Sequence, residues 1–244
     1  MIADRRAGDA MRLAQAESHI KAHVPAGMDA PIILIPSNPS PMVPQPVEMR
    51  AAFLEHITQL VRSVWALPLA EDAENDAATR AAQMDASADS RAEDAACGTC
   101  RGACCPSGGS TAFLDTERMV VIRRVLASQG DTPTADQMIS RYKGWVPDLH
   151  AEGSCVMHGP DGCTVPRVAR ASLCNRYRCG GLTQLVRALE VSPAAYAAAG
   201  DGARLDRVAR ITDVGRAPVG GALSGLTPFA GVPVVPAPDD AGPR

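Results

Sequence analysis

All eight cysteines of this chain fall within the 83 residues from 97 to 179, and four of them crowd into the nine residues "CGTCRGACC". They are Cys97, Cys100, Cys104, Cys105, Cys155, Cys163, Cys174 and Cys179. A loop so dense in thiols and so poor in large apolar side chains needs cross-links or a metal to order it. An even count fits disulfides in a secreted chain. The opening stretch "MIADRRAGDAMRLAQ" lacks the apolar region of a signal peptide, however. The expectation is a cytoplasmic, reducing compartment, where clustered thiols bind metal or do redox work.

The first cluster can converge. On a helix, positions 97, 100 and 104 would span an arc of about 60°. Cys105 would point about 100° away from Cys104. Gly98 and Gly102 argue for a loop running into a turn instead. A tetrahedral zinc site needs sulfurs about 3.8 Å apart. Cys97 with Cys100 meets that, and so does Cys155 with Cys163, because Gly159-Pro160-Asp161-Gly162 between them is a turn signal that predicts a hairpin. The cysteine spacings of 3, 4, 1, 50, 8, 11 and 5 fit no zinc finger, ribbon or ferredoxin run. Soft sulfur favours zinc or iron, and spacing alone does not choose between them.

The rest of the chain divides by composition. Residues 1–47 read as a flexible segment, with a weak helix over 1–24 and seven prolines between 25 and 46. Residues 48–68 read as an amphipathic helix carrying Phe53, Ile57, Leu60 and Val64. Residues 69–96, with eight Asp/Glu against two Arg, read as an acidic, Ala-rich, solvated linker. Residues 97–190 form the cysteine domain. Within it, Asp115 or Thr116 starts one helix, and Thr134 and Gln137 have the spacing of a capping box for another. "LTQLVRALE" is a further helix. Residues 191–216, including "SPAAYAAA" and "ARLDRVARIT", read as C-terminal helices, and 217–244 as a disordered Gly/Pro-rich tail. The predicted fold is therefore mainly α: short helices around an irregular cysteine-rich loop region, one β-hairpin, and disordered termini.

Charge adds a clue. Residues 97–179 hold ten Lys/Arg against seven Asp/Glu. Arg101, Arg167, Arg170, Arg176 and Arg178 lie within a few residues of a cysteine, where guanidinium groups stabilise a thiolate centre. The plain alternative is that they are surface residues. "RVARASLCNRYR" lacks stacking aromatics beyond Tyr177, and the net charge of −3 does not indicate nucleic acid as a partner. No stretch is long enough to span a membrane. His158 is a better candidate ligand or second donor than His150, although eight thiols leave no need for either, and a water-exposed loop position is its ordinary reading. Trp145 and Tyr142 read as core or as cover for the site. No Walker loop, GxGxxG, HExxH or GxSxG is present.

The run Cys97-Gly-Thr-Cys100-Arg-Gly-Ala-Cys104-Cys105 resembles the opening motif of the YkgJ-like "CxxCxxCC" proteins, a family described as zinc- or iron-chelating. The later "SCVMHGPDGCTVPR…RASLCNRYRC" is similar to that family's second half, with Cys155, Cys163, Cys174 and Cys179 in the corresponding places and Arg170 matching the family arginine. The likeness covers residues 97–182. Three residues instead of two separate Cys100 from Cys104, and "RAS" stands where the family has Arg-Pro. The resemblance implies metal binding and no common reaction.

These readings converge on a metal-binding protein. It would hold an iron–sulfur cluster or zinc through the eight cysteines, in a structural, sensing or accessory role, with a protein as the partner or substrate class. Iron is preferred, since irregular spacing with surplus thiols suits one cluster. The alternatives are a metalloenzyme using that centre in protein modification or redox chemistry, and a metal-free thiol redox switch.

Overall fold

The computed structural model describes residues 2–23, 30–68, 90–160 and 162–212. In chain order the helices are α1 (Ile2–His23), α2 (Val47–Trp65), α3 (Ser90–Cys100), α4 (Thr116–Ser128), α5 (Ala135–Trp145), α6 (Ser172–Arg176) and α7 (Gly180–Val191). The strands are β1 (Ile32–Pro36), β2 (Met42–Pro44), β3 (Leu149–Ala151), β4 (His158–Gly159), β5 (Gly162–Cys163), β6 (Ala194–Asp201) and β7 (Arg204–Thr212).

This is a mixed α/β fold, and the mainly helical expectation is wrong. A three-stranded sheet has β6 at its centre, parallel to β1 and antiparallel to β7. Both segments expected as C-terminal helices are strands of this sheet. Alanine is a good helix former and a poor strand former, but tertiary placement overrides that preference. Ala195, Ala197 and Ala199 face α3 and α7 with Ile35, Leu182, Leu185 and Ile211. Tyr196 and Ala198 face α1 with Ala16 and Ile20. The alternation is that of a strand buried on both faces. It is invisible to hydropathy because alanines stand on both faces, five of the eight residues of β6. The apolar "PIILIP", inside the segment 1–47 read as flexible, supplies β1.

Close approach requires two glycines here. A Cβ on Gly181, at the start of α7, would lie 2.6 Å from the Leu34 carbonyl oxygen, and one on Gly200 would collide with that of Arg204.

The second core is helical. Phe53, Ile57, Val61 and Val64 of α2 pack with Met119, Ile122 and Leu126 of α4 and with Met138 and Tyr142 of α5. The helix over 48–68 is thus where it was expected. Asp115 caps α4, accepting from the Arg118 amide at 2.7 Å, and Gly130 follows its end at φ +78°. Thr134 and Gln137 form the expected capping box on α5. The 158–163 hairpin is also present, pairing His158 with Cys163.

Two other boundaries move. The segment 1–47 contributes α1, β1 and β2 to the packed body. The last residues of the expected acidic linker, with Cys97 and Cys100, form α3, whose Ala92, Ala95 and Ala96 are buried. The remainder of that linker, 69–89, and the tail 217–244 lie outside the described residues. Among the described residues no helix is long and apolar enough to cross a membrane.

Candidate functional site

The cysteines lie along the seam between the two cores. Cys100, Cys97 and Cys179 pack with the sheet core; Cys155, Cys105 and Cys163 pack with the helical core. Cys104 and Cys174 are exposed. All eight are free thiols.

Local structure explains the placement. Cys97 and Cys100 occupy the last turn of α3. Gly98, read as a helix breaker, lies inside that helix, and the hairpin packs directly on its backbone. A Cβ on Gly162 would lie 3.1 Å from the Gly98 nitrogen. The chain then reverses through Arg101 at φ +53° and Gly102 at φ +63°. A 3-10 turn over Cys105–Gly108 follows, with Cys104 preceding it. The Cys100 sulfur accepts from the Ala103 amide at 3.3 Å, and Cys179 caps α7, accepting from the Leu182 amide at 3.4 Å.

Electrostatics tie the thiols into one group. Burial, followed by the charge of Cys100, holds the Cys97 thiol well above its ordinary range. Burial pushes Cys155 up to about 12, with Cys163 and Cys174 adding to the effect. Cys163 is raised by burial against the opposing pull of Arg170. Across the seam, Cys105 feels Cys97, and Cys100 feels Cys104. Cys104 is lowered to about 6, chiefly because the Cys105 thiol donates to it, and Cys105 is raised in turn. Most of these groups are thus neutral thiols in the folded protein. A cation in the seam would reverse that balance and release protons.

Ion pairs cross the seam beside the thiols. Arg167 meets Glu93 at 2.7 Å and Asp94 at 3.2 Å; Arg170 meets Asp94 at 2.6 Å. Arg170 also donates to the Val165 carbonyl at 2.5 Å and the Cys163 carbonyl at 3.2 Å. Arg178 reaches Glu93 at 2.6 Å, and Arg176 is exposed. Of the five arginines picked from the sequence, Arg167, Arg170 and Arg178 are therefore structural clamps. Sequence reasoning missed Glu93, Asp94, Arg118 and Arg207. The two acids precede Cys97 by one helical turn, a signal available only once 90–100 is read as a helix. Arg118 donates to the Arg170 carbonyl at 2.5 Å. Arg207, on β7, donates to the Thr99 carbonyl at 2.8 Å, bracing the C-terminal end of α3. Burial and the charge of Arg101 lower Arg207 to about 10.

Both candidate histidines are 1% exposed, which corrects the reading of His158 as a water-facing loop residue. The Ser154 hydroxyl lies 2.8 Å from His158 Nδ1, and His158 Nε2 has no hydrogen-bond partner. Burial pushes His158 down to about 4, so the ring is neutral at neutral pH. Neither ring nitrogen of His150 has a partner. Tyr142 is core, as expected, and its hydroxyl donates to the Ala169 carbonyl at 2.7 Å.

The donor chemistry fits a soft or borderline metal: eight reduced sulfurs and an unpartnered imidazole nitrogen. The arrangement is not that of a finished site. Among the described residues, no three His, Cys, Asp or Glu side chains stand in a ligating group. No family model, curated protein or solved structure matches this chain.

Proposed function

We propose that this protein binds an iron–sulfur cluster or zinc through the thiols of its seam, and that the metal joins the helical core to the sheet core. The observation that carries this reading is the distribution of the thiols. Three chain segments bring eight free cysteines to the boundary between two hydrophobic cores, and those on opposite sides feel each other's charge. A metal there would add folding energy where neither core reaches. The role is structural, sensing or accessory, in a reducing cytoplasmic setting, and a protein is the partner class. The YkgJ-like resemblance over residues 97–182 belongs to the same proposal, with Arg170 holding Asp94 and the Cys163 carbonyl in the place of the family arginine.

The test is metal and acid-labile sulfide content, with the visible spectrum, on protein purified without oxygen. Stoichiometric iron with sulfide, or stoichiometric zinc, is expected. Cys100→Ser and Cys163→Ser should each lower that content. A metal-free protein that folds normally would overturn the reading.

One observation favours a metal-free thiol switch as a second reading. Cys104 is exposed and accepts from its neighbour Cys105, so it presents a nucleophilic sulfur beside a second thiol. That reading expects reversible loss of thiol titre on mild oxidation and no bound ion.

A further inference from the structure

We infer that His158 Nε2 and Cys105 Sγ are two ligands of a mixed nitrogen–sulfur site for a borderline divalent cation of the zinc class, located at Gly102 on the helical side of the seam. The inference rests on the metal-binding reading above and names a donor that the cysteine pattern omits.

Three observations converge at one point. A Cβ built on Gly102 would lie 2.6 Å from Cys105 Sγ and 2.7 Å from His158 Cε1. The sulfur and the ring carbon that carries Nε2 are therefore no farther apart than the sum of those distances, and both border Gly102. Gly102 keeps that space open, and its φ of +63° suits glycine.

The second observation is the orphan nitrogen. A buried polar atom without a partner is costly, and native proteins rarely keep one without a reason. His158 Nε2 is such an atom in a side chain that is almost fully buried. It does not accept from the Cys105 thiol, so the pair is not a base and its nucleophile.

The third is orientation. Ser154 lies at hydrogen-bond distance from Nδ1, itself buried at 1% exposure. With Nδ1–H donating to that hydroxyl, the lone pair is left on Nε2. Metal-bound imidazoles are held this way, through the ring nitrogen that does not ligate. The hairpin fixes the ring further: the His158 amide donates to the Cys155 carbonyl at 2.9 Å, and His158 pairs with Cys163 across β4 and β5. Cys104, Cys97 and Cys155, all within electrostatic reach of Cys105, are the candidates for further ligands. Thiolate with imidazole is a zinc-type donor set, whereas iron–sulfur clusters are held mainly by thiolates alone.

The test is zinc K-edge X-ray absorption on the full chain, stripped of metal and reloaded with one equivalent of zinc, together with zinc affinity by competition. At least one nitrogen ligand with imidazole scattering is expected, and His158→Gln should weaken zinc binding at least about tenfold. Zinc held by sulfur alone, with His158→Gln binding as tightly as wild type, would overturn this inference and leave the metal-binding reading intact. A chain that retains neither zinc nor iron overturns both. If His158→Gln does not fold, the wild-type and His150→Gln spectra decide: an imidazole ligand kept in both supports the inference, and sulfur alone in the wild type overturns it.

Discussion

The helical core and the sheet core of this protein are built from opposite materials. The first interlocks long side chains, among them Phe53, Ile57, Met119, Ile122, Met138 and Tyr142, all fully buried. The second is lined by the alanines of β6 and closes by bringing backbones together, with Gly181 against β1 and Gly200 against β7. Burial is worth about 25 cal/mol per Å² of apolar surface, so each residue of the helical core contributes far more than an alanine of the sheet. The two cores should therefore fail in opposite ways, one through truncation and the other through enlargement. Neither extends across the seam, where thiols and ion pairs stand in place of apolar packing.

The largest expected effect is in the helical core. Phe53→Ala should cost about 3–5 kcal/mol by urea unfolding, since it empties a site at the meeting of α2 and α5. A cost near that of a surface change would mean that this core is not close-packed.

The seam comes next. Arg167→Ala leaves Glu93, whose side chain is 2% exposed, without its buried partner. Removing one member of a buried pair costs about 3 kcal/mol or more. An unchanged urea midpoint would show that Arg178 alone satisfies Glu93, and that the ion pairs do not clamp the two cores.

Acid should act on the same region. Burial pushes His158 down to about 4 in the folded protein, below the ordinary value of 6.5. On acidification the unfolded chain takes up this proton first. The contribution of His158 is therefore complete above about pH 6.5 and is lost as pH falls toward 4, by up to about 3 kcal/mol. Urea midpoints of the metal-free protein should fall over that window, and His158→Gln should flatten the fall. An unchanged slope in the variant would remove His158 from the account.

The smallest effect distinguishes the sheet. Ala197→Val puts a better strand former into β6 but overfills a fully buried position, and should destabilise by about 1–2 kcal/mol. Stabilisation would mean the alanine core has room to spare, and the contrast between the two cores would be weaker than described.

What the sequence disclosed follows the same division. The helical core was legible because its apolar residues recur at helical spacing and its caps are conventional: Asp115, then Thr134 with Gln137. The 158–163 hairpin was legible from its turn. The sheet was not, because strand alternation needs side chains that differ, and five of the eight residues of β6 are alanine, on both of its faces. α3 was obscured by Gly98, against whose backbone a hairpin more than sixty positions later packs. Of the candidate site, only the clustering of the eight cysteines could be read from sequence. Its carboxylates, Arg207 and the burial of His158 depend on distant segments and left no local mark.

The most direct test of the central claim is hydrogen exchange on the metal-loaded and metal-stripped protein, resolved by segment. A metal joining the two cores predicts that stripping it deprotects 97–105, 155–163 and 174–179, while 194–212 and 50–64 keep their protection. Identical exchange in the two forms, or uniform loss across both cores, would contradict it.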